Sequence, residues 1–195
     1  MTSPASSLIP ITQKPLRADA RRNRERILAA ARAVFADKGS DAQIDDVARR
    51  AKVGVGTVYR HFPTKETLVD AVVREGFEVI AGYAREALEQ DDAWEAFVDL
   101  IWRSARHNAD DRGLREAIAM SDRRDVAADC GLLGVTQLIV DRARAQGAMR
   151  DDASAGDVGL MMCAAAAVMQ IDDRPEAWQR YVTLMLDGLK ARAAS

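Results

Sequence analysis

Three residues, Lys52, Val53 and Gly54, constrain this chain more than any others, because they leave only a tight turn between two short amphipathic helices. Before them, Ile44, Val47, Ala48 and Ala51 fall at i, i+3, i+4 and i+7, one face of a helix. Asp45 and Asp46 sit in its first turn, where negative charge suits the helix dipole. After the turn, Val55, Val58, Tyr59 and Phe62 repeat the spacing, and Pro63 ends the run. Two short helices joined through about three residues with a glycine match the helix-turn-helix, whose second helix lies in the major groove of DNA. Residues 43–62 are therefore a candidate DNA-reading unit, although other αα-hairpins share the spacing.

Helical periodicity extends to both sides. Ile27, Leu28, Ala31, Val34 and Phe35 line one face of a helix predicted over 19–38, with Gly39 as its stop. Pro4, Pro10 and Pro15 among Ser and Thr predict a flexible tail over 1–18. Thr64 is the N-cap of a connector helix to about Leu88, with Leu68, Val72, Val73, Phe77 and Ile80 on its apolar face. Further helices are predicted from Asp91 or Asp92 (Trp94, Phe97, Val98, Ile101, Trp102), after Gly113 to Met120, over 126–145, over 159–171, and from Pro175 (Trp178, Tyr181, Val182, Met185, Leu189). No segment alternates as a strand would, and no internal repeat shows. The expected fold class is all-α with about nine helices. A three-helix DNA-binding head over 19–66 precedes a larger helical regulatory and dimerisation body over 67–195.

Charge is divided in the same way. Residues 1–65 hold 13 Lys+Arg against 6 Asp+Glu, a balance of +7, and the rest holds 15 against 24, a balance of −9. A basic end on an acidic body suits a polyanionic partner at that end. With 48% apolar and 30% charged residues, and no long uncharged apolar run or signal-like N-terminus, a cytoplasmic protein without membrane association is expected. Cys130 and Cys163 form no C-x-x-C pair and are expected to be reduced.

Enzymatic readings find little support. Gly54 and Gly56 begin a dinucleotide-type loop, but Tyr59 stands where its third glycine belongs. The two histidines are His61, inside the turn motif, and His107; no ligand spacing for a metal exists, and neither metal nor cofactor is expected. A His107–Cys130 base and nucleophile, a thiol-responsive regulator using Cys130 and Cys163, and a constitutive DNA-binding protein without effector are the rival readings.

The segment VGVGTVYRHFPTKETL at 53–68, preceded by IDDVARRA at 44–51, resembles the DNA-binding head of the TetR family of bacterial regulators. The likeness covers roughly residues 22–72. It joins the turn, the Gly56, Thr57, Val58, Tyr59 run, the His61 and Phe62 end and the Lys65 that follows, all at the family's spacing. It implies that Thr57, Tyr59, His61 and Lys65 touch phosphates while Val55, Gly56 and Arg60 face base edges. Chemistry agrees, since the first four can all donate to phosphate oxygens and the Arg60 fork suits guanine. The chain departs from the family at Gln43, where Thr or Ser is frequent, and at Lys52 and Gly54, where Gly and Ser are. Gln43 is then expected to reach phosphate through its amide. In the first helix, Arg21, Arg22, Arg24 and Arg26 are candidates for steering toward the DNA backbone.

For the body the resemblance implies a homodimer through the last two long helices, which places two heads on an operator with inverted half-sites. The small residues Ala164, Ala165, Ala166 and Ala167 and the Trp178, Tyr181, Met185 stripe are the expected contact surfaces. A small, largely apolar effector is expected inside each body. Candidate lining residues are Phe97, Ile101, Trp102, Met120, Leu133, Met161, Met162 and Met169, with Arg103, His107 or Gln137 orienting a polar end. Its binding is expected to release DNA.

Overall fold

The computed structural model describes residues 14–121, 123–172 and 174–191. The head is α1 (Lys14–Lys38), a 3-10 turn (Gly39–Asp41), α2 (Ile44–Ala51) and α3 (Val55–His61). The connector is α4 (Lys65–Ala87). The body adds α5 (Ala93–Asp110), α6 (Arg112–Met120), α7 (Arg123–Asp129), α8 (Leu132–Ala145), α9 (Ala155–Ile171) and α10 (Pro175–Leu189). Among the described residues the only β-type pairing is a single bridge between Met149 and Lys190. No helix among them is long and apolar enough to cross a membrane.

Most element boundaries follow from local chemistry already visible in the sequence. Thr64 caps α4 by accepting from the Thr67 N–H at 3.2 Å, while the Thr67 hydroxyl accepts from the Thr64 N–H at 3.1 Å. Asp92 accepts from Trp94 and Glu95 at the start of α5, and Ser154 from Asp157 at the start of α9. Three boundaries differ from expectation. First, α1 begins at Lys14, so 14–18 belong to a helix, and 1–13 of the expected tail lie outside the described residues. Second, the helix expected over 126–145 is two, which brings the described total to ten. Gly131, at φ +76°, adopts a left-handed conformation that breaks the run between α7 and α8. Third, Gly113 does not precede its helix but lies buried in the first turn of α6, because Asp111 caps that helix by accepting from Leu114 at 2.8 Å.

One hydrophobic core runs through head and body. In the head, Ile27, Leu28, Val34 and Phe35 of α1 are buried with Val47, Val58 and Phe62, each such side chain contributing on the order of 1.5–3 kcal/mol. α4 carries this core into the body and packs against α1, α5, α6, α7 and α8. Meanwhile α6 is wedged between α1 and α4, and α10 lies across α9 and α5.

Candidate functional site

α3 is held by few side chains. Of its seven residues only Val58 is buried, with Phe62 just beyond it as a second anchor. Val55 is 37% and Tyr59 48% exposed, and Gly56 and Arg60 also face solvent. Val55 and Tyr59 share the apolar spacing of Val58, but a two-turn helix anchored on Val58 and Phe62 carries both out of the core, to the open side where the resemblance places them. The surface left open is a phenol, a guanidinium and a stretch without bulky side chains, a combination that fits a DNA groove. Arg60 makes no hydrogen bond or ion pair among the described residues. The turn before α3 bends at Lys52, whose φ of 55° and ψ of 45° are left-handed, whereas Gly54 sits at an ordinary φ of −68°. The strained position of the turn is therefore borne by a lysine.

The neighbouring cations are partly occupied. The Lys65 ammonium donates to the Ser40 carbonyl at 2.6 Å, and Gln43 donates its amide to the Asp41 carbonyl at 3.1 Å. Thr57 and His61 are half-buried at the same end of the head. Of the first-helix arginines, Arg26 donates to the Ala51 carbonyl at 2.6 Å and so finishes α2, while Arg24 stacks 5.4 Å from the Phe62 ring centre. Arg21 pairs with Glu25, and Arg22 with Asp19. Arg24 and Arg26 are thus structural members of the head, which leaves Arg21 and Arg22 as the candidates of this cluster for steering toward the DNA backbone.

The second feature is a cavity of about 440 Å³ in the body, walled by α4, α5, α6, α7, α8 and α9. Phe77 and Ile80 of α4, Ile101 of α5, Ile118 of α6, Leu133 of α8 and Met162 of α9 make its apolar surface. Among the described residues no group of three or more His, Cys, Asp or Glu is placed to hold a metal ion.

The pattern for bacterial regulatory proteins of the tetR family matches residues 27–72, and that for the C-terminal domain of SbtR-like transcriptional regulators matches residues 91–191. A TetR transcription regulatory protein from Mycobacterium vanbaalenii is 33% identical, covering 91% of this chain and 100% of that one with a TM-score of 0.58. The chain belongs to the TetR family. As a TetR family transcriptional regulator it is also similar to UidR of Escherichia coli, 32% identical over 75 residues, where the match spans 38% of each chain. A structure of the transcriptional regulator FadR from Bacillus subtilis in complex with stearoyl-CoA is 18% identical and covers 84% of this chain and 95% of that one. Its TM-score of 0.69 marks a shared fold.

Against this TetR frame, the residues expected to line the cavity divide. Ile101, Leu133 and Met162 do line it. Phe97 lies in the core beside Trp94, Trp102 packs on Trp178 at 6.0 Å, and Met169 is buried elsewhere. Met120 and Met161 lean on the core outside the cavity wall. The proposed polar orienters also point away. Arg103 pairs with Glu86 at 2.8 Å over the Tyr83 ring, and His107 meets Tyr83 edge-on. Gln137 accepts from the Ala155 N–H and donates to Asp141. Their places are taken by Ser104, Asn108 and Thr136, each one residue along, which line the cavity together with Cys163. A signal for the first two existed: Ser104 and Asn108 continue the apolar stripe of Ile101 at i+3 and i+7, where a polar residue is out of place.

His107 has a consequence for stability. Burial pushes its pKa below the ordinary 6.5, and Arg32 adds to this, against the opposing pull of Asp111 and Asp110. The unfolded chain therefore binds a proton more readily than the folded one as pH falls below about 6.5, so that stability is complete above this value and declines beneath it. The midpoint of urea unfolding is expected to drop between about pH 7 and pH 5 less steeply in His107→Gln than in the parent chain. Equal slopes would show that His107 titrates alike in both states.

Proposed function

We propose that this regulator is a cytoplasmic repressor that acts by binding and not by catalysis. It grips an inverted-repeat operator as a homodimer, and it lets go when a small, largely apolar molecule fills the body cavity. The observation that carries the reading is that the cavity and the DNA-facing head share two rigid elements. α4 puts Phe77 and Ile80 in the cavity wall, and at its start Lys65 is bonded to Ser40 of the head. α6 puts Ile118 in the same wall, while Gly113, five residues earlier, rests on the main chain of Arg32 in α1. A guest that shifts either wall shifts the head. FadR, of the same fold, holds stearoyl-CoA.

On DNA, Thr57, Tyr59, His61, Lys65 and Gln43 hold phosphates, and Val55, Gly56 and Arg60 meet base edges. An ammonium has three protons, so Lys65 can keep Ser40 and still reach a phosphate. The dimer is supported by two partly exposed stripes. Leu160, Ala164, Ala167 and Ile171 follow one face of α9, and Ala177, Tyr181, Leu184 and Gly188 one face of α10. Leu160, Ile171 and Leu184 are 59%, 87% and 51% exposed, an apolar surface suited to a second copy of itself. Trp178 and Met185, expected at this interface, are buried inside the body instead.

Release by a ligand requires that ligand to prefer the state that cannot hold DNA, and reciprocity then requires operator DNA to weaken the ligand by the same factor. The test is a pair of titrations with a compound that raises the melting temperature in a thermal-shift screen, one on the protein alone and one on its operator complex. Expected is a weaker ligand affinity on the complex, matched by an equal loss of operator affinity in the ligand's presence. Unchanged affinity on the complex would remove the coupling.

A further inference from the structure

Resting on the reading of the body cavity as a ligand site, we infer that its ligand is an uncharged, largely apolar molecule whose polar end is a carbonyl oxygen of the ketone or ester class, which accepts from the Thr136 hydroxyl and the Asn108 side-chain amide. Thr136 carries the argument. A serine or threonine buried inside a helix commonly returns its proton to the carbonyl four residues back. Ser104 does so to Leu100 at 2.7 Å, and Thr183 to Gln179 at 3.0 Å. Thr136, in the second turn of α8, is 7% exposed, yet its side chain makes no hydrogen bond among the described residues. Nor is its hydroxyl sealed into the packing, as the unpaired Arg115 Nε and Asn108 Oδ1 are. A buried hydroxyl that is neither bonded nor sealed opens onto the space its residue lines, and for Thr136 that space is the cavity. Its proton is free for a guest.

Asn108, 5% exposed on α5, adds a second donor. Its Oδ1 has no open surface, so the cavity meets the other end of the amide, an NH2 group that bonds to nothing in the protein. A carbonyl oxygen has two lone pairs and brings no proton that this wall must satisfy, so it answers two free donors. Charge narrows the class further. The charged residues of the cavity wall are Arg124 and Asp125, both exposed on α7 and of opposite sign. A carboxylate also accepts, but it would leave water without gaining a buried counter-charge, which is costly. The remaining surface is mostly apolar. Along α5 the wall from Leu100 to Asn108 spans about 12 Å at the helical rise, room for an extended hydrocarbon body.

The test uses the full chain carrying Cys130→Ser, which leaves Cys163 on the cavity wall as its only thiol. Protection of Cys163 from iodoacetamide is titrated with 2-nonanone, with nonanoate, and with 2-methyl-1-nonene, which puts a methylene where the ketone has its oxygen. A hydrocarbon leaves water more readily than a ketone, so ketone and alkene are compared through their change between variants. In Thr136→Val, of similar shape, the 2-nonanone concentration needed for protection is expected to rise about tenfold while that of the alkene stays within about twofold. Asn108→Leu is expected to act in the same sense, and Thr136→Ser, which keeps a hydroxyl, to bind 2-nonanone nearly as the parent does. Nonanoate is expected to protect only at concentrations about tenfold or more above those of 2-nonanone. The melting temperature of empty Thr136→Val is expected to hold or rise, because the lost hydroxyl gives up no bond. A ketone that binds Thr136→Val or Asn108→Leu like the parent, equal losses for ketone and alkene, protection by the alkene or nonanoate alone, or nonanoate as good as the ketone would overturn the inference. Protection by none of the three would instead remove the reading of the cavity as a ligand site.

Discussion

Replacing Gly113 by alanine is expected to lower the stability of this regulator by about 3 kcal/mol, at the upper end of what overpacking costs. For a chain of this size that corresponds to a fall of roughly 6–12 °C in melting temperature. A β-carbon at this position would stand 2.1 Å from the Arg32 carbonyl oxygen and 2.7 Å from its carbon, contacts with main chain that no rotamer change relieves. The helices are also pinned at this spot. Arg32 bonds Asp111, the cap of α6, at 2.7 Å and reaches Glu75 of α4 at 3.3 Å. Leu114, the next residue of α6, closes against Gly76 of α4. Alanine must therefore push α6 away from α1 and loosen the joint between cavity and head, so the loss in operator affinity is expected to exceed what unfolding alone explains. A melting temperature within about one degree of the parent would mean that α1 and α6 separate at little cost.

The second large effect is expected from Ile171→Glu with Leu184→Glu. These two side chains are the most exposed apolar groups on the outer stripes of α9 and α10, and neither belongs to the core cluster. Charging them leaves the body folded but sets like charges against each other across a two-fold contact. Light scattering is expected to show the mass fall from twice the 21.3 kDa of the chain to a single copy. Operator affinity is expected to fall with it by about 10²–10⁴-fold, because two heads on one dimer share an effective concentration that separate heads lack. A variant that keeps the double mass would move the interface elsewhere.

The helical register was legible because buried faces repeat every three to four residues. Ile44 to Ala51 and the long α4 show this, and the Thr64 cap was readable from its side-chain chemistry. Which neighbour covers a face was not legible. Val55 and Tyr59 carry the right spacing but lie on a helix too short to bury a full stripe, and Trp178 serves the inside of the body although its helix also offers an outside face. The cavity shows the same limit in angle. Arg103, His107 and Gln137 each miss it by one residue, about 100° of helical rotation, and only the packing of six helices decides that Ser104, Asn108 and Thr136 turn inward. Gly113 looked like a helix boundary because glycine serves that role too, and its close approach to Arg32 lies 81 positions away in sequence.

Whether two copies of this head read one symmetric site is tested by selecting bound sequences from a random duplex library with the whole 195-residue chain. The expected result is an inverted repeat whose half-site centres lie about 34–36 Å apart or at a multiple of that helical turn. Substituting Arg60→Ala should relax one position in each half-site at a cost of about 1–3 kcal/mol. Enrichment of a single, unpaired half-site, or of no sequence at all, would contradict it.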